Sequence, residues 1–72
     1  MINDEEIIKW VEIKSKILSA LNIKFGQKSE NNMLERRILS ARLCTLEKYD
    51  KDQFNFEIDN IIKGKIWVEH YF

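Results

Sequence analysis

"YDKDQFNFEIDN", residues 49–60, carries two periodicities at once. Phe54, Phe56 and Ile58 alternate with polar residues, the pattern of a half-buried strand. Phe54, Ile58, Ile61 and Ile62 fall at i, i+4, i+7 and i+8, the stripe of an amphipathic helix. The surroundings favour the helix. Asp50 and Gln53 have capping-box spacing, and Tyr49 with Phe54 has the spacing of a hydrophobic staple. Gly64 follows Ile61, Ile62 and Lys63, where a helix C-terminus would use it. A hairpin would need Lys63-Gly64 as its tight turn, where Asn-Gly or Asp-Gly is preferred, and alternation breaks at Ile61-Ile62. The sequence therefore predicts a helix over about 51–63. On it Phe56 points away from Phe54 and Ile58, to be covered by a C-terminal tail folded back over it, covered by another chain, or left exposed.

Upstream, Asn3 with Glu6 reads as a variant capping box, and Ile2 with Ile7 as a staple. Asp4, Glu5 and Glu6 stand where the helix dipole favours negative charge. At about 100° per residue, Ile7, Trp10, Val11, Ile13, Ile17, Leu18, Ala20 and Leu21 form one broad face with Lys14 inside it. This predicts a helix from 4 to about 24, with Gly26 as a left-handed terminator. Ser29 is the next cap, opening a helix over about 30–49 with two apolar stripes. One is Leu34, Ile38, Ala41, Thr45 and Tyr49, and the other is Leu39, Leu43 and Leu46. Arg36, Arg37, Ser40, Glu47 and Lys48, with Met33 and Cys44 among them, read as the outer side. Glu35 and Arg42 read as a rim pair, or as half of an inter-subunit salt bridge. The tail "KIWVEHYF", residues 65–72, is a short fourth helix or an extended segment docked on something. The expected fold is all-α: one domain over 1–72, a small three-helix bundle with an aromatic C-terminal segment.

Composition limits the function. With 33% charged and 44% apolar residues the chain is globular. Seventy-two residues bury only about 60% of their unfolded surface, so a partner or further copies of the chain are expected to extend the core. Twelve basic and twelve acidic residues cancel, leaving no global field for nucleic acid or membrane. The balance is local: residues 1–8 hold three acids and no base, while residues 9–28 hold five lysines and one acid. No apolar run reaches the length of a membrane span. The acidic start reads as lacking a signal or transit peptide, and one cysteine without disulfide partners suits the cytoplasm.

Chemistry-bearing residues are few. His70 is the lone histidine and Cys44 the lone cysteine. Together they are a fragment of a metal site, and nothing pairs them as a catalytic dyad. Two glycines rule out a phosphate-cradling loop. No catalytic residue, metal or cofactor is expected, and an enzyme is the least favoured class. The expected role is a small non-enzymatic interaction protein of a bacterium or phage. It would dock a helical surface onto a protein partner, as a homo-oligomer, through Phe56, Trp67, Tyr71 and Phe72, since large aromatic residues dominate such contacts. One alternative is a nucleic-acid-binding regulator with a helix–turn–helix-like pair, in which Lys9, Lys16, Arg36 and Arg37 touch phosphates. Another is an oligomeric binder of a small anionic ligand using Lys14, Arg36 or Arg37.

Overall fold

The computed structural model describes the backbone of residues 3–71 and the side chains of residues 3–64. Three helices follow one another: α1 (Asp4–Phe25), α2 (Met33–Tyr49), entered through a 3-10 turn at Glu30–Asn32, and α3 (Lys51–Tyr71). There is no strand among the described residues. Phe54 and Ile58 are buried while Phe56, between them, is 59% exposed. That is the helical reading of residues 49–60.

The caps at two ends follow the sequence. The Asn3 Oδ1 accepts the Glu6 amide at 2.9 Å, and the Asp50 side chain accepts the Gln53 amide at 3.2 Å. Asp50 alone separates α2 from α3, which makes the two helices antiparallel neighbours. The bidentate pair of Arg42 with Glu57, at 2.8 and 3.1 Å, joins them along one side. Arg42 thus pairs with Glu57 of α3 rather than with Glu35, because helix neighbours lie three or four residues apart and not seven.

Four further expectations change. First, Gly26 has φ 78 and ψ −165, so it ends α1 in an extended region that only glycine occupies readily, not the left-handed helical one. Its amide still donates to the Asn22 carbonyl at 2.9 Å. Second, the helix expected from residue 30 begins as a 3-10 turn, and Asn32 ties it down. The Asn32 side chain accepts the Ser29 amide at 3.0 Å and donates to the Phe25 and Gln27 carbonyls at 3.1 and 2.9 Å. Third, Gly64 does not terminate α3. A glycine inside a helix costs only about 0.5–1 kcal/mol against alanine, and Gly26 is the sole positive-φ residue described. The segment after it continues α3 as far as Tyr71, so it is neither a separate helix nor a tail folded back over Phe56.

The fourth change concerns the rotation of α2. The buried core is Ile17, Ala20 and Leu21 of α1, Leu43 of α2, and Phe54 and Ile58 of α3, with Ile13, Phe25, Leu39, Cys44, Leu46 and Ile61 packed around it. Leu39, Leu43 and Leu46 thus face inward as expected. The other stripe does not: Leu34, Ile38 and Tyr49 are 66%, 61% and 75% exposed. In their place Arg36 is buried, and Met33, Ser40, Cys44 and Glu47 are half-buried. The connection from Gly26 to Ser29 is short, and Asn32 and Arg36 bond back to the end of α1, so α2 is held with this mixed side against α1.

The two glycines make a paired prediction. A Cβ added at either would meet no heavy atom within 4 Å, so alanine acts at each through the backbone alone. Gly26→Ala must hold a side chain at positive φ and is expected to lose about 1–3 kcal/mol. Gly64→Ala sits in a helix and should gain about 0.5–1 kcal/mol. Urea denaturation of both variants would show midpoints moving in opposite directions, and a loss at Gly64 would contradict a continuous α3.

Candidate functional site: the outer face of α1 and α2

Helix α1 packs antiparallel to α2, and a side-chain contact fixes the alignment. Arg36 Nη2 donates to Asn22 Oδ1 at 2.7 Å, setting the start of α2 level with the end of α1. Trp10 lines one groove together with Thr45, Lys48 and Tyr49, so it stands level with the end of α2. The residues before Trp10 therefore reach past α2. Accordingly Ile7 and Ile8 are exposed. Val11 and Leu18 are exposed as well, on the flank of α1. Half of the broad face read from the sequence is thus uncovered, because the apolar contact of α1 with the core runs along Ile13, Ile17, Ala20, Leu21 and Phe25.

A second groove lies further along the same pair of helices. It has a volume of about 460 Å³, and its walls are Leu18 and Leu21 of α1 with Met33, Ser40 and Ala41 of α2. Three cations line it too: Lys28, Arg36 and Arg37. Arg36 is only 7% exposed. Its guanidinium donates to the Gly26 carbonyl at 2.6 Å and to Asn22, so a cation meets the negative end of the α1 dipole. The sole ion pair among the described residues is Arg42 with Glu57. Lys28 and Arg37 therefore line the groove with no ion-pair partner among the described residues.

The residues singled out in the sequence are scattered by the fold. Phe56 lies on the outer side of α3. Lys9, Lys14, Lys16 and Arg37 are exposed, but Arg36 is turned inward and committed to Asn22 and Gly26. Lys14 places its Nζ 5.6 Å from the centre of the Trp10 ring, a cation–π contact. Cys44 is a half-buried free thiol in the groove beside Trp10 and Lys48. The side chains of Trp67, His70, Tyr71 and Phe72 lie outside the described residues. Among those described, no three His, Cys, Asp or Glu residues gather as for a metal ion, and no helix is long and apolar enough to cross a membrane.

The one ion pair among the described residues is structural. Hydrogen bonding from Arg42 holds the Glu57 carboxyl below its usual range, against the opposing effect of burial and with help from Gln53. The Arg42 guanidinium is raised in turn, by the same hydrogen bond first. The pair fastens α2 to α3 and lines neither of the two grooves described above.

Sequence reading missed Leu34, Ile38 and Tyr49 as surface, and did not mark Lys28. No local signal marks the first, because the rotation of α2 is set by bonds from Asn32 and Arg36 to the end of α1. Comparison of the chain with models of known protein families, with curated proteins and with solved structures finds no match. The fold defines a small all-α three-helix bundle.

Proposed function

We propose that this chain is a non-enzymatic interaction protein that docks a helical surface onto a protein partner and assembles with copies of itself. The observation that carries this reading is the outward apolar face of α2, where Leu34, Ile38 and Tyr49 lie mostly in solvent. Large apolar side chains exposed along one helix face suit an association site. Phe56, exposed on α3, belongs to a second contact, with the aromatic segment around Trp67, Tyr71 and Phe72 as its expected continuation. A cytoplasmic setting in a bacterium or phage fits the single thiol and the composition. The cationic groove of Lys28, Arg36 and Arg37 supports a second reading, a site for a small anionic ligand. That reading predicts thermal stabilisation by nucleotides or phosphate.

The test uses immobilised full-length chain to capture proteins from the native host, followed by mass spectrometry. In parallel, Leu34→Glu and Ile38→Glu would be combined in one variant. The expected result is a discrete partner captured by the natural chain and lost by the variant, with helicity by circular dichroism unchanged. Capture of the same partner by both proteins would remove α2 from the reading, and capture of none would remove the partner.

A further inference from the structure

Charge is sorted along α1 and its surroundings. Asp4, Glu5 and Glu6 stand at the start of α1, on the part that reaches past α2, and Ile7 and Ile8 follow, exposed. At the other end of the same helix lies the groove of Leu18, Leu21, Met33 and Ala41 under Lys28 and Arg37. The first feature is acidic and apolar, the second basic and apolar. They cannot meet within one chain, since they lie at opposite ends of one rigid helix. They can meet between two.

We propose that a second copy of this chain docks antiparallel across the α1–α2 face, the acidic start of each α1 seating in the basic groove of the other. This deepens the assembly part of the proposed function and rests on it. Asp4, Ile7, Val11, Lys14 and Leu18 fall within one quadrant of α1 at about 100° per residue, and all five are exposed. In an antiparallel pair, setting Ile7 against Leu18 of the second copy sets Val11 against its Lys14. The same register puts Asp4 level with Leu21. Because Arg36 bonds Asn22, the level of Leu21 on α1 is the level of Arg37 on α2. Asp4 of each copy thus meets Arg37 of the other, twice in a two-fold dimer.

A compact monomer of this mass exposes about 4,700 Å², whereas the whole chain exposes 6092 Å². On α1 the uncovered apolar side chains include Ile7, Val11 and Leu18, each about half exposed, and a standard interface covers roughly 800 Å² per partner.

Sedimentation equilibrium at micromolar concentration tests the contact by exchange of charge. Asp4→Lys and Arg37→Glu should each weaken the dimer by about tenfold or more, since the contact occurs twice, and the double variant should recover most of the loss. Asp59→Lys makes the same change of charge at an exposed position on α3, away from the α1–α2 face, and should leave the dimer unaltered. Circular dichroism checks that helicity is kept. If Asp4→Lys frays the first turn, Arg37→Glu, made on an exposed position inside α2, still decides. An oligomer indifferent to Asp4 and Arg37 would overturn this contact and leave self-assembly standing. A monomer at every concentration would overturn both, while docking of a different protein is judged separately by the Leu34 and Ile38 variant.

Discussion

Phe54→Ala is expected to lose about 3–5 kcal/mol of stability, the usual range for truncating a buried phenylalanine. Phe54 is only 4% exposed and packs with Ile17, Ala20, Leu21, Leu43 and Ile58, so no neighbour can easily close the cavity. A domain of this length is stable by roughly 4–11 kcal/mol in all, so the variant should lose a large share of its margin and melt at a much lower temperature. Phe56→Ala, two residues on, should change stability by no more than about 0.5 kcal/mol. The contrast between them is the experiment. In a strand both rings would share a face and both truncations would be costly, while in a helix they stand roughly 200° apart. Thermal denaturation of the two variants side by side would show it. Comparable losses at the two positions would mean that residues 51–63 are not packed as a helix. A Phe56→Ala protein that is stable but loses a partner would place Phe56 in a contact surface.

Architecture was legible where local signals agreed. Asn3 and Asp50 announce helix starts by side-chain chemistry that needs no tertiary context, and both caps form. Leu39, Leu43 and Leu46 face inward as their spacing demands. What the sequence did not show is the rotation of α2 about its own axis. Two apolar stripes this far apart on one helix are not both core here, and the spacing of Leu34, Ile38 and Ala41 reads as core as readily as that of Leu39, Leu43 and Leu46. The choice is made by bonds between distant residues: Asn32 to the carbonyls of Phe25 and Gln27, and Arg36 to Gly26 and Asn22. No periodicity reveals such pairs. The same holds for the candidate site, since a groove exists only once α2 has turned. Gly64 failed as a signal for a different reason: a glycine stops a helix by taking positive φ, which its presence permits and does not compel.

Arg36 should be the most costly polar residue to lose. Its guanidinium holds the corner between α1 and α2 by two bonds, to the Gly26 carbonyl at 2.6 Å and to Asn22 at 2.7 Å. Hydrogen bonds to a charged group contribute about 1.5–3 kcal/mol each, and the groove beside them lets water replace part of what is removed. Arg36→Ala is therefore expected to lose about 2–3 kcal/mol overall. Arg36→Lys should recover little of it, because a single ammonium cannot span two acceptors that a planar fork reaches together. Arg37→Ala, next in sequence but exposed, should be nearly silent in stability. Urea denaturation would rank the three variants. Asn22→Ala adds a second test, because combined with Arg36→Ala it should cost less than the sum of the two single losses, the mark of residues that act through one contact. The loss also has a predicted consequence beyond stability. Without Arg36 the end of α1 no longer fixes the rotation of α2, and the stripe of Leu34 and Ile38 gains the chance to turn inward. Increased binding of a hydrophobic dye by Arg36→Ala would report a loosened core, and dye binding and stability that match those of Arg37→Ala would show that the corner is held by Asn32 alone.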